Sequence, residues 1–162
     1  MKRGLCAVVC LVMMNLPVFV CASNLKAEGY FREGYMASMA REWDSAISLY
    51  TKSIELNPDN PEPYMQRAAA LEMANRIDEA IADYRSTLRL KPDYYLAMEY
   101  LAKLYESKGE YSKAVDLYSK ALKVVTDSRW RSVVMWWMSQ AQKKIRQSDG
   151  EDDRNSRRKR RN

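Results

Sequence analysis

The chain has no histidine, and its three cysteines, Cys6, Cys10 and Cys21, all fall within the first 21 residues. The missing imidazole removes the commonest general base near neutral pH and the commonest metal ligand. Ser-His-Asp and Cys-His nucleophile systems are therefore excluded, as are zinc sites of the Cys/His type. Glycine is equally scarce: five in 162 residues, with Gly29 and Gly34 isolated, so no glycine-rich loop can cradle a phosphate. Asp59-Asn60 and the acidic run from Asp149 to Asp153 lack the ligand spacing of a calcium loop. No catalytic residue, metal or cofactor is expected, and the chain does not read as an enzyme.

Long apolar runs are also absent, except one at the start. Lys2 and Arg3 precede an apolar stretch from Leu5 to Val20, interrupted by Asn15 and Pro17, and Cys21-Ala22 follows. This is the layout of a secretory signal, with a cut expected after Ala22. A chain so processed has no cysteine and hence neither disulfide nor thiolate chemistry. Residues 5–22 are near the lower length limit for a membrane span, so retention as an anchor is the alternative. Lipidation at Cys21 is a third outcome, although Val18-Phe19-Val20 lacks the small residue expected just ahead of such a cysteine. Each outcome directs the protein to an envelope compartment, and a bacterial periplasm or cell envelope is the expected location.

The other end, 148–162, has no apolar residue, so nothing offsets the entropy of ordering it, and it reads as a disordered tail. Four acids come first, then Arg154, Arg157, Arg158, Lys159, Arg160 and Arg161. Such a basic run suits an anionic membrane surface or an acidic protein, or merely solubilises the chain. Of the net charge of +6, the leader carries two and the tail another two. The remainder is close to balanced, so nucleic acid is not an expected partner.

Between these ends the chain matches itself at a spacing of 34 residues. Gly34, Ala68 and Ala102 form one small-residue column, and Ala46, Ala80 and Ala114 another. Tyr50, Tyr84 and Tyr118 form an aromatic column, followed by Ser53, Thr87 and Ala121. A fixed period of this kind denotes stacked supersecondary units. Helices approach to about 8 Å only where side chains are small, and an aromatic one turn away fills the space beside the crossing. Arg41-Glu42, Asn75-Arg76 and Lys108-Gly109-Glu110 fall at the turns within units. Pro58 and Pro92 stop the second helices. Thr126 stands at the third such position, so that helix is expected to end less sharply.

These columns resemble the tetratricopeptide repeat family over residues 24–128. The resemblance implies an all-α solenoid of three helix-turn-helix repeats, 27–60, 61–94 and 95–128, within a domain spanning 23–147. A capping helix follows at 129–147, with Ser128 as its N-cap. Trp130, Val134, Trp137, Ala141 and Ile145 share one stripe of that helix. Trp136 lies about 100° away around it and is read either as an exposed anchor for self-association or a partner, or as packed against Tyr118 or Lys120.

The family's geometry places a peptide-binding groove on the first helix of each repeat. In this chain the implied contacts are Phe31, Tyr35 and Met39, then Met65, Ala69, Glu72 and Met73, then Leu96, Glu99, Lys103 and Glu106. The apolar residues suit a helix or extended peptide, and the acidic ones a basic segment. Members that clamp a C-terminal carboxylate use lysines and asparagines at positions occupied here by Phe31, Tyr35, Gln66, Leu96 and Tyr100, so that clamp is absent. The expected function is a protein-interaction scaffold of the envelope. The alternative is a membrane-associated adaptor or assembly module held by its N-terminal anchor and basic tail.

Overall fold

A computed structural model describes the backbone of residues 23–159 and the side chains of residues 23–150. The leader, 1–22, and Arg160 and Arg161 of the tail lie outside the described residues. Among these, seven helices occur and no strand. They are α1 (23–39), α2 (Trp43–Leu56), α3 (Pro61–Met73), α4 (Ile77–Leu90), α5 (Tyr95–Ser107), α6 (Tyr111–Val124) and α7 (Ser128–Lys159). The bounds of α2, α4 and α6 differ by the sequence period, as do those of α3 and α5. The all-α repeat architecture is thus the one that the sequence predicts. The chain divides after Arg76 into two compact units, α1–α3 and α4–α7.

The turn from first to second helix is built the same way three times. Arg41, Asn75 and Gly109 adopt positive φ, at 63°, 59° and 75°. The amide after each donates five residues back: Glu42 to Ala37 O at 2.9 Å, Arg76 to Leu71 O at 2.8 Å and Glu110 to Tyr105 O at 2.8 Å. This left-handed cap satisfies carbonyls that the helix leaves without partners. Glycine adopts it without strain, while Arg41 accepts a strained conformation.

Each helix end has its own device. Asn60 Oδ1 accepts from the Glu62 amide at 3.1 Å, and Pro61 sits at the first helical position of α3, where a missing N–H is harmless. At α7 the capping side chain is Asp127, not Ser128 as expected: its Oδ1 accepts from the Arg129 and Trp130 amides at 2.8 and 3.2 Å. A carboxylate also complements the positive end of the helix dipole better than a hydroxyl does. The end of α6, expected to be loose at Thr126, stops at Val124 in register with Leu56 and Leu90. Arg131 Nη1 closes it by donating to the carbonyls of Leu122 and Val125. Where the sequence predicts a disordered segment from residue 148, α7 continues to Lys159. No proline interrupts that stretch, and Glu, Arg and Lys have good helix propensity.

In the first unit, the fully buried Tyr50 ring lies beside Gly34 and 5.8 Å from Phe31. Its hydroxyl meets Ser38 Oγ at 3.1 Å, and Ser53 Oγ donates to Ala27 O at 2.8 Å. In the second unit, Tyr84 stacks on Tyr100 at 5.9 Å and Tyr118 on Trp137 at 6.1 Å. Val134 and Ala141 of α7 complete that core, but Trp130, expected on the same packed stripe, is 44% exposed. It lies in the first turn of α7. None of the described helices is long and apolar enough to cross a membrane.

Candidate functional site

In the first unit, a cleft of about 800 Å³ opens along α1. Phe31, Tyr35 and Met36 form its apolar wall, with Gly29, Arg32 and Glu33 from the same helix and Gln66 from α3. Tyr35 and Met36 are 48% and 69% exposed. Gly29 has nothing within reach of an added Cβ, so its missing side chain widens the cleft. Phe31 is half-buried, with its ring held against Tyr50. The cleft therefore has one fixed aromatic and two solvated, adaptable apolar side chains, a composition suited to an apolar segment of a partner.

The implied groove residues of this unit do not all reach the cleft. Met39 and Met73 are exposed but lie outside its lining, and Ala69 and Glu72 are half-buried. Met65 is a correction: at 5% exposure it belongs to the core. Residues 61–73 turn Met65 onto the same side as Ala68 and Leu71, both also buried. Met36 was missed because it falls between the family's contact positions. Its signal was the i, i+4 relation to Arg32 on an otherwise solvated face.

In the second unit, the implied contacts Leu96, Glu99, Lys103 and Glu106 lie on α5. Glu99 is a second correction. Expected as an open acidic contact, it is buried and paired through Oε1 with Lys103 Nζ at 2.6 Å. The same ammonium sits 4.2 Å above the Trp137 ring and 5.7 Å from that of Tyr100, in cation–π geometry. Lys103 is thus a cation tied to α7. Glu99 Oε2 is buried without a hydrogen-bond partner, and the Tyr118 hydroxyl is buried beside Glu106. Burial raises the Tyr118 pKa far above its ordinary value, and the charges of Glu106 and Glu99 raise it further.

Trp136 is 60% exposed on α7. Its neighbour Trp137 takes the Tyr118 contact. Arg157, Arg158 and Lys159 follow the helical backbone of α7, and their side chains lie outside the described residues. Among the described residues no group of three His, Cys, Asp or Glu side chains could hold a metal ion.

Two overlapping matches to the tetratricopeptide repeat model cover residues 31–95 and 65–128. The chain belongs to the tetratricopeptide repeat family. A curated relative, small glutamine-rich tetratricopeptide repeat-containing protein 2 of Mycosarcoma maydis, is 36% identical over 99 residues. That alignment covers 61% of this chain, and the chain spans 28% of the relative's length. Among solved structures, the complex of the TPR2B domain of yeast Sti1 with pHsp70 superposes with a TM-score of 0.65 at 26% identity. The match covers 72% of this chain and 98% of that one. The Yersinia enterocolitica type III secretion chaperone SycD, in complex with a peptide of the translocator YopD, superposes at 0.68 with 13% identity. It covers 73% of this chain and 93% of that one, and shares the fold.

Proposed function

We propose that this tetratricopeptide repeat protein is a non-catalytic interaction scaffold that captures an apolar segment of a partner peptide in the α1 cleft. The observation that carries this reading is the cleft itself, about 800 Å³ with Tyr35 and Met36 solvated at its wall. Peptide complexes of Sti1 and SycD support it as a use of the same repeat. With Phe31, Tyr35, Gln66, Leu96 and Tyr100 at the carboxylate-clamp positions, capture rests on apolar contact and needs no terminal carboxylate.

The test is selection of a random peptide library against the full chain. Enriched peptides should carry aromatic or aliphatic side chains and lose binding to Tyr35→Glu, a substitution of an exposed residue that leaves helicity unchanged. Equal binding to parent and variant would sink the cleft reading.

The apolar leader supports a place in the cell envelope. A soluble envelope species with the mass of residues 23–162 is the expected result. The second reading, an adaptor held at a membrane by residues 5–22 and by the run Arg157 to Arg161, draws on the basic tail. It requires the full-length mass in the membrane fraction, and release of the protein from anionic vesicles when 154–162 is deleted.

A further inference from the structure

The second unit has a hollow that the peptide reading leaves unused. It is about 390 Å³ and lies between α4 and α6, with α5 beneath. Tyr105 and Leu101 supply the α5 side, and Leu88 and Leu117 flank them from α4 and α6. At about 100° per residue, Leu101 and Tyr105 face away from Glu99 and Lys103 on α5. The hollow is thus on the opposite side of that helix from the implied peptide groove.

Its rim is basic. Arg85 and Arg89 stand one turn apart on α4, and Lys113 and Lys120 two turns apart on α6. Asp116 is the single acid in the lining. Lys113 pairs with Glu110, but Arg85, Arg89 and Lys120 have no ion-pair partner among the described residues. The repeat array as a whole is close to charge-balanced, so this concentration of positive charge is local.

We infer that the hollow between α4 and α6 is a second docking surface, which receives an acidic amphipathic segment of a partner protein. Apolar side chains of the segment enter over Leu88 and Leu117, and its carboxylates meet Arg85, Arg89 and Lys120. Charge complementarity selects the sign of the partner, and the apolar floor selects a polypeptide over a nucleic acid. Single-stranded nucleic acid binds through stacking on open aromatic rings, whereas the one ring here, Tyr105, is covered by Lys113 Nζ at 5.1 Å. The inference goes beyond the proposed peptide capture and does not depend on it, because it uses different residues on a different unit.

The test uses the full chain and three labelled helical peptides of equal length, followed by fluorescence anisotropy. One peptide alternates leucine faces with glutamate, one replaces glutamate by lysine, and one keeps glutamate but replaces leucine by serine. Only the Leu/Glu peptide should bind, more weakly at about 300 mM salt than at 50 mM. The double reversal Arg85→Glu/Arg89→Glu should weaken binding by at least about ten-fold with unchanged helicity, since both residues are exposed. Tyr35→Glu should leave this binding intact, which separates the hollow from the α1 cleft. Equal binding of the lysine peptide, indifference to the double reversal, or equal competition by an oligonucleotide or anionic vesicles would each overturn the inference.

Discussion

Gly34 lies so close to the ring of Tyr50 that a Cβ built on it would fall 2.8 Å from Tyr50 Cε1 and 2.9 Å from Cδ1. The corresponding residues of the next two repeats are Ala68 and Ala102, each fully buried with its Cβ in place. The first repeat differs because Phe31 also presses on Tyr50, at 5.8 Å, and leaves that ring little room to move. Gly34→Ala is therefore expected to destabilise the protein, although alanine is the better helix former by about 1 kcal/mol. Overpacking costs about 1–3 kcal/mol, so the net loss should be about 1 kcal/mol, read as a lower urea midpoint. A raised midpoint would show that Tyr50 yields freely.

Arg41 should behave in the opposite way. It holds φ at 63° where the third repeat has Gly109 at 75°, and a non-glycine residue pays about 1–2 kcal/mol for that conformation. Arg41 is exposed and no side-chain bond is at stake. Arg41→Gly is expected to stabilise the fold by about 1 kcal/mol after the entropy gained by the unfolded chain is subtracted. Thermal melts of both proteins check this; an unchanged or lower Tm would refute it.

Met65 and Met73 come from the same helix and the same implied groove, but only Met73 is solvated, at 59% against 5%. Met65→Ala should cost about 2–5 kcal/mol through the cavity left behind. Met73→Ala should stay within about 0.5 kcal/mol. Urea denaturation of the two variants would expose an error in either placement.

Tyr118 links stability to alkaline pH. Burial, then Glu106 and Glu99, keep its proton on well beyond the ordinary value of 10.0. An unfolded chain loses the proton near that value while the folded chain keeps it, so the unfolded state gains from rising pH. Stability is fully present below 10.0 and falls as pH rises above it. Tyr50, raised chiefly by burial, acts in the same direction. Tyr118→Phe removes a hydroxyl whose neighbouring acceptor is Glu106, so its cost near neutrality should be about 1 kcal/mol, and the alkaline decline should be shallower. Urea midpoints collected between about pH 8 and 11 decide this; an identical slope in the variant would contradict it.

Legibility differs between backbone and surface. The columns at Gly34, Ala46 and Tyr50 and their repeats placed the helices, their crossings and their turns, because small residues and rings at fixed spacing admit one packing. The position of Arg41 was visible as a turn, but its strain was not, since arginine carries no sequence mark for positive φ. The site was half legible. Phe31 and Tyr35 line the cleft as the resemblance implies, whereas Met65 and Glu99 went into the interior. Met36 and the basic rim at Arg85, Arg89 and Lys120 had no position in the family pattern to point to them.

The sequence by itself determined the repeat, its register and the turns within each unit, because these depend on residues a turn or one period apart. Only the tertiary structure decided which side chains meet solvent. Lys103 became a tied cation because Trp137 of α7 and Glu99 of α5 both approach it, and Met65, which the family pattern sets in the groove, is only 5% exposed. Exposure is a sum over neighbours from other helices, and no spacing within one helix contains it.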